Sequence, residues 1–347
     1  MAFLGLGKNK TSVGLDVGSG LIKLAVMDHS SGEPELVKVA TAPVLADAIV
    51  EGEIMDPGII AEAVKGLIAQ AGVKQKGVAV AVGGRDVIIK RIQVDRMKES
   101  DAFEVIRWEA QQYVPFDIEG VELDFQVLDP DGEGLQMDVL LVAAKRELVD
   151  TKLSLLQEAG LAASAVDVDA FALHNAFTLN YPESAEAISA LVNIGHEVTN
   201  VNFVVDGIPL LTRDLNIGTR KFREDLQRDK GISAEEAELM LRNPEDAVEL
   251  QPYVASRGEE IAVGIERAAA FLQSAAAEAG AMQRLYMSGG GGRIPGLIEA
   301  VGGRLGVAPE TVNPVQRLKV GDGVFDDVEV DEVAPLLLMS IGLALRN

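Results

Sequence analysis

The residues best suited to chemistry fall in two short stretches that resemble each other. Residues 13–26 read VGLDVGSGLIKLAV, and residues 190–203 read ALVNIGHEVTNVNF. Laid over one another, Asp16 falls on Asn193, Gly18 on Gly195 and Leu24 on Val201, a shift of 177 positions (193 − 16). Each is an apolar β run, a polar tip with glycine and a second apolar run, the pattern of a β-hairpin. A tip that turns tightly on glycine points several backbone N–H groups at one place, and such a concavity attracts phosphate oxygens. One such loop is equally well read as an ordinary turn. Two of them half a chain apart imply two similar domains, each lending a loop to a phosphate clamped between them.

A third stretch, residues 288–296 (SGGGGRIPG), lies between a strand expected at 283–287 and a helix expected at 295–305. Four consecutive glycines let a chain pass flat against a ring or phosphate that any Cβ would obstruct. The start of the following helix adds donors and a dipole that favours anions. Pro295 suits a first helical position, where its missing N–H does no harm.

The elements that must hold these loops follow from periodicity and turn residues. The first hairpin continues through a polar turn at 28–32 to a strand at 35–40, giving three antiparallel strands. A helix with Ile59, Ala63, Leu67 and Ile68 ends at Gly72. Residues 78–82 and 87–94 read as strands about Gly83-Gly84, and a helix from Ser100 carries Phe103, Ile106, Trp108 and Tyr113. Residues 121–128 and 137–144 form a further strand pair, so a βαββ-type unit is expected as an insert at 41–143. Trp108 is expected in its core. Helices at 147–160 and 170–179 flank a strand at 163–168, and residues 181–184 are the expected hinge. Pro209 marks an edge strand. Helices are expected at 217–229 and 233–242, with Ser233 and Glu236 as a capping box. A long helix follows at 259–279, and an apolar helix at 335–345.

Bulk composition narrows the function classes. With 347 residues, two domains or slightly more are expected. The sequence contains no cysteine, which excludes disulfides, thiolate nucleophiles and cysteine metal sites, and its three histidines show no metal spacing. A formal charge of −23 opposes long-range attraction to nucleic acid, so nucleic acid is set aside. No run approaches the roughly 18 apolar residues that span a bilayer, so no direct membrane insertion is expected. The apolar start MAFLGL with Lys8 and Lys10 reads as a frayed tail. A cytoplasmic protein, peripheral to a membrane through a partner, is expected.

Strand–loop–strand, its repeat and a glycine-rich corner resemble the actin-like ATPase superfamily in that order. The first phosphate motif is Asp16-Val17-Gly18-Ser19-Gly20 with Lys23, and the second runs from Asn193 to Thr199. The adenosine motif is Ser288-Gly289-Gly290-Gly291-Gly292. Within the superfamily the chain is similar to the PilM family of type IV pilus assembly proteins, and more distantly to FtsA. The PilM-like marks are VGLDVGSGLIKLAV, RWEAQQYVPF (107–116), VDVDAFAL (166–173), SGGGGRIPGL and IGLALR (341–346), which together cover nearly the whole chain.

The resemblance implies an α/β, actin-like, two-lobed fold of duplicated ribonuclease H-like domains with an inserted FtsA-type 1C subdomain. The first lobe would comprise 1–40, 144–184 and 335–347, and the second 185–334, with a 2B subdomain at about 218–280. It implies ATP (or ADP) with Mg²⁺ between the lobes. Gly18, Ser19 and Gly20 would hold phosphate through backbone N–H groups, Lys23 would neutralise charge, and Asp16 would orient Mg²⁺ through water. Gly195, Thr199 and Gly218 would close the clamp. Gly289, Gly290, Gly291, Gly292 and Ile294 would lie along the nucleoside, with Glu238 and Arg242 as a ribose- and adenine-contacting pair. Read from spacing alone, Glu238 and Arg242 are a solvated ion pair.

Asn193 departs from the pattern, because actin-like hydrolases usually carry aspartate there to place metal and water. Slow or absent hydrolysis is expected. His196 is expected to face solvent at the turn. The family implies as partner the N-terminal cytoplasmic peptide of the inner-membrane protein PilN, in a groove beside the 1C subdomain. Pilus motor ATPase or platform proteins and a homo-oligomer are further expectations. The competing readings are a small-molecule kinase of the same superfamily and an FtsA-like, filament-forming membrane adapter. A kinase of this class has a longer chain and a catalytic aspartate beside its substrate. FtsA tethers itself by a basic amphipathic C-terminal helix, which the apolar 335–345 helix does not resemble.

Overall fold

The computed structural model describes residues 10–46, 48–50, 52–275, 280–326 and 329–346. The expected tail at 1–9, the last turn of the long helix at 276–279 and Asn347 lie outside them. The chain opens with β1 (Thr11–Val17), β2 (Leu21–Asp28) and β3 (Glu35–Pro43), followed by α1 (Pro57–Gln70) and β4 (Gly77–Val82). Next come β5 (Val87–Asp95), α2 (Glu99–Ala110), β6 (Val121–Val127), β7 (Gln136–Lys145) and α3 (Arg146–Glu158). Then β8 (Ala162–Val168) and α4 (Asp169–Asn180) precede the second hairpin, β9 (Ser189–Ile194) and β10 (Thr199–Val205), and its neighbour β11 (Ile208–Leu215). The remainder is α5 (Thr219–Lys230), α6 (Ala234–Met240), α7 (Ala247–Ala275), β12 (Arg284–Ser288), α8 (Leu297–Leu305), β13 (Pro309–Thr311) and α9 (Leu338–Ala344).

Two sheets repeat one plan. In the first, β3, β2 and β1 run antiparallel and β4 then joins β1 in parallel, with Gly14 opposite Ala79. In the second, β11, β10 and β9 run antiparallel and β12 joins β9 in parallel, with Ala190 opposite Leu285. The duplication expected from the two hairpins is therefore present in the strand order. Pro209 lies on the edge strand β11, where a missing N–H costs no ladder bond.

Both sheets share one apolar filling. Met27 and Leu36 of the first sheet and Leu191 and Tyr286 of the second bury against Leu173 and Phe177 of α4 and Leu338 and Ile341 of α9. Phe177, Tyr181 and Tyr286 form an aromatic cluster, with ring centroids 4.8–5.3 Å apart. Such contacts add roughly 0.5–1.5 kcal/mol each beyond the area they bury. These two helices thus hold the two hairpins in fixed register.

The chain divides into one compact unit, up to Ala81 and from Leu155 onward, and a second, Val82–Ser154. The second is a three-stranded antiparallel sheet in the order β5-β7-β6 with α2 beside it, the βαββ arrangement expected. Its start differs from the expected 41. Strand β4 is not a partner of β5 across Gly83-Gly84 but lies inside the first sheet, and α1 packs in that sheet's core through Ile60, Val64 and Leu67. The first lobe also gains the short strand Lys319–Val320, parallel to β3, from a stretch expected in the second lobe. Trp108 is 63% exposed, against the expectation of burial. The buried positions of α2 are Ala102, Ile106 and Ala110, one residue in four, and position 108 falls off that stripe. Helix α7 begins at Ala247, well before the expected 259, and runs through Pro252. The capping box at Ser233 and Glu236 is present.

Candidate functional site

The first hairpin carries a charged pair. Asp16 and Lys23 are cross-strand partners, and Lys23 Nζ donates to Asp16 Oδ2 at 2.6 Å with both side chains largely shielded. The Gly18 N–H closes the turn by donating to the Leu21 carbonyl at 3.2 Å, so it is spent on the loop itself rather than held for phosphate. A Cβ placed on Gly18 would stand 3.2 Å from Lys23 Nζ, so the ammonium lies over the tip.

The second hairpin repeats the turn in neutral form. The Gly195 N–H donates to the Val198 carbonyl at 2.9 Å, the same bond at the same offset. Asn193 faces Asn200 where Asp16 faces Lys23. Here the amides form a directed chain. Asn200 Nδ2 donates to Asp214 Oδ1 at 2.8 Å, which leaves its Oδ1 to accept from Asn193 Nδ2 at 3.2 Å. That orientation turns Asn193 Oδ1 toward the Ser288 hydroxyl, which donates to it at 3.2 Å. An amide at 193 both donates and accepts, and a carboxylate there would set acceptor against acceptor.

Three loops converge on the end of β9. A Cβ on Gly20 would stand 2.9 Å from both Cβ and Cγ of His196, so the imidazole of the second tip lies directly on the first. Behind His196, Thr219 N–H donates to the Gly195 carbonyl at 3.0 Å and Arg220 N–H to the His196 carbonyl at 2.8 Å. Gly218 lies under that same carbonyl, 2.4 Å from where a Cβ would be. Gly289 has φ +88°, and a Cβ there would meet the Ile194 carbonyl at 2.5 Å and Asn193 Oδ1 at 2.7 Å, so glycine is required twice over. Gly290 approaches Thr219, with 3.9 Å between its Cβ position and Thr219 Cγ2. Gly291 packs on the Ile194 side chain, and Gly292 lies beside Ile298.

Some expected roles do not match the placement. The Thr199 hydroxyl is fully buried and donates to the Ile217 carbonyl at 2.7 Å, so it ties the hairpin to the start of α5 instead of reaching the cleft. Ile294 is buried in the apolar core of the second half. His196 is half-buried rather than open to solvent. Desolvation first, and then the Arg223 guanidinium, hold its imidazole below the ordinary histidine value.

Charge is concentrated beside the loops. Arg220 bridges Glu197 at 2.6 Å and Glu224 at 2.8 Å. Glu238 pairs with Arg242 at 3.2 Å, as the helical spacing predicts, and lies 3.8 Å from Arg223. Arg293, directly after the glycine run, was not singled out from sequence. Burial, reinforced by neighbouring Arg242, pushes its guanidinium below its ordinary value, and its carboxylate partner Glu332 is 3.9 Å away. Arg293 is half-buried, and the nearby Arg242 guanidinium that acts on it is itself paired with Glu238. The signal available in sequence was an arginine following four glycines.

The glycine-lined junction and the Lys23 ammonium suit an anionic, phosphate-bearing ligand. One oxygen of Asp16 is neutralised by Lys23, so the carboxylate suits a hydrated Mg²⁺ better than direct ligation. Among the described residues no group of three or more His, Cys, Asp or Glu could hold a metal by itself. Among them, too, no helix is long and apolar enough to cross a membrane.

A family model described as type IV pilus assembly protein PilM matches residues 14–347. Among solved structures, one described as a PilM-PilN type IV pilus biogenesis complex is 28% identical, with a TM-score of 0.84 over 98% of this chain and 99% of that chain. Ethanolamine utilization protein EutJ from Carboxydothermus hydrogenoformans is 17% identical, with a TM-score of 0.59 over 99% of this chain and 92% of that one. MreB 5 of Spiroplasma citri, solved bound to AMPPNP, is 10% identical, with a TM-score of 0.52 over 97% and 95%. The last two show the fold, which is actin-like.

Proposed function

Because this chain belongs to the PilM family of type IV pilus assembly proteins, we propose that it is an ATP-binding scaffold that recruits inner-membrane and cytoplasmic parts of the pilus machine. The observation that supports the nucleotide half is the convergence of the Gly18–Gly20, Gly195 and Gly289–Gly290 loops, with Gly20 against His196 and Lys23 over the first tip. In this reading Ser19 and Gly20 on one side and Gly195 on the other line the phosphates. Gly289 and Gly290 pass beneath the sugar, and Arg242, Glu238 and Arg293 bound the nucleoside end. Lys23 would meet the phosphate charge of a bound ATP, and Asp16 would hold its Mg²⁺ through water.

Hydrolysis is slow or absent, because Asn193 is committed to Asn200 and Ser288 and carries no charge to polarise water. The partner is the N-terminal cytoplasmic peptide of PilN, and similarity to the PilM-PilN complex supports this. Motor ATPase or platform proteins and a homo-oligomer complete the proposed assembly, which that peptide brings to the inner membrane. Val82–Ser154 is the proposed 1C subdomain.

Calorimetric titration of the purified chain with ATP, and with a synthetic PilN N-terminal peptide, tests both halves. Saturable binding of each is expected; an absence of nucleotide binding sinks the first half and an absence of peptide binding the second. Phosphate release from Mg-ATP should stay far below the ~10 s⁻¹ typical of enzymes.

A further inference from the structure

Residues 309–321 belong to both sheets. Pro309–Thr311 pairs in parallel with β12 of the second sheet, and further on Lys319–Val320 pairs in parallel with β3 of the first. Each ladder is extended by one bond. The Val312 N–H donates to the Met287 carbonyl and the Gly321 N–H to the Leu36 carbonyl, both at 2.8 Å. Between these ends the chain is tied to the end of α4. Asn180 is fully buried there and spends both its N–H groups and its oxygen. Its Nδ2 donates to the Ala176 carbonyl at 2.8 Å and to the Pro314 carbonyl at 2.7 Å, and its Oδ1 accepts the Arg317 N–H at 2.8 Å. Next to it, the Tyr181 hydroxyl accepts the Asn313 N–H at 2.8 Å. Val312 and Leu318 are buried in the apolar filling that the two sheets share.

We propose that residues 309–321 form a strap that locks the two sheets at one mutual angle, with Asn180 as its buckle, so that the two halves do not rock against each other. The inference goes beyond the scaffold reading and does not depend on the nucleotide.

A connection restrains two bodies only when it has no slack. Left free, the residues between Thr311 and Lys319 could extend over roughly 20 Å. Bonds at Val312, Asn313, Pro314 and Arg317 remove that freedom, and the Val315 N–H is itself held by Asn313 Oδ1 at 3.0 Å. Rotation of one sheet against the other must therefore break hydrogen bonds in the strap. Those at Asn180 are buried, and breaking them strands a carbonyl and an N–H away from water. The α4–α9 contact works differently. A Cβ on Gly342 would stand 1.7 Å from the Ala172 carbonyl, so the helices meet backbone to backbone with no side chain between. Apolar packing of that kind is non-directional, whereas hydrogen bonds weaken steeply when misaligned. The strap fixes the angle that packing alone leaves soft.

The chain contains no cysteine, so a pair of nitroxide labels can be placed freely. Ala69→Cys on α1 and Glu299→Cys on α8 put one label on an exposed site of each half. Double electron–electron resonance should give one narrow distance that Mg-ATP leaves unmoved. Lys319→Glu with Gly321→Pro unfastens the strap at its solvent-facing end, because it sets a carboxylate against Glu35 and removes the N–H that Leu36 accepts. In that background the distance should broaden or divide in two while thermal unfolding stays cooperative. A distance as narrow as in wild type would overturn the proposal, as would a wild type that shows two distances or shifts with Mg-ATP. Hydrogen exchange on the wild type decides the matter should the variant not fold. The amides of Asn313, Arg317 and Gly321 should exchange as slowly as those of β12, and fast exchange there overturns the strap. Calorimetry on the labelled protein shows separately whether ATP binds, so loss of the nucleotide reading is not mistaken for loss of this one.

Discussion

The two hairpins are the same device in two electrical states. At the first, Asp16 and Lys23 face each other as a charged pair; at the second, Asn193 and Asn200 occupy the same positions as a pair of amides. The turn bond is shared and the backbone plan is shared. The surroundings differ. The second pair is threaded into a chain of donors and acceptors from Ser288 to Asp214, whereas the first ends in an ammonium lying over its own glycine tip. One half of a duplicated fold thus keeps a charged pair at its tip, and the other exchanges it for a fixed internal network.

Moving residues between the copies breaks the comparison most sharply at Gly14, whose counterpart is Leu191. A Cβ on Gly14 would lie 2.0 Å from the Ser340 carbonyl and 2.5 Å from the Ala344 nitrogen, because α9 lies directly on β1. Gly14→Leu is expected to cost roughly 3 kcal/mol or more and to abolish cooperative unfolding in urea. The reciprocal variant, Leu191→Gly, leaves a cavity in place of a clash.

Acid loads the contact between α4 and the β10–β11 turn. Burial holds His174 down at about 4 from an ordinary 6.5, against a smaller opposing pull from the Gly207 carbonyl that its ring donates to. The unfolded chain takes up this proton first as pH falls. The stabilisation is therefore complete above about pH 6.5 and is lost as pH drops through about 4, a total of roughly 3 kcal/mol. His174→Gln should flatten the unfolding free energy over that window, and an unchanged profile would remove His174 from the account.

Lys23→Asn places the second copy's residue in the first and leaves the buried Asp16 carboxylate without its cation. A loss of about 1.5–3 kcal/mol is expected in chemical denaturation. Adding Asp16→Asn should recover part of it by rebuilding the amide pair, and a double-mutant cycle with no coupling would contradict the equivalence of the two sites. Nucleotide affinity should not recover, since the ammonium is gone.

Asn193→Asp carries charge the other way. It should cost about 1–3 kcal/mol, because a carboxylate cannot donate to Asn200 and Asn200 cannot turn without abandoning Asp214. The sharper readout is phosphate release from Mg-ATP, where any rise over wild type would locate the missing catalytic charge.

Much of this arrangement was legible in the chain. The doubled hairpin, the glycine corner, the capping box at Ser233 and the Glu238–Arg242 pair all come from residues close together in sequence, where turn chemistry and helical spacing act directly. The membership of β4 in the first sheet, the exposure of Trp108 and the burial of Ile294 were not, since each depends on which distant surface an apolar run meets. Nor did the chain show that Thr199 spends its hydroxyl on Ile217 or that His196 lies on Gly20.

What the sequence determined alone is that the protein has two matching glycine tips and one glycine corner, because φ preferences and alternation are properties of a few neighbouring residues. Only the tertiary structure decided that the tips touch, which amide oxygen faces which hydroxyl, and that Arg293 stands beside Arg242. Those facts join residues scores of positions apart, and only packing around α4 and α9 settles where they meet.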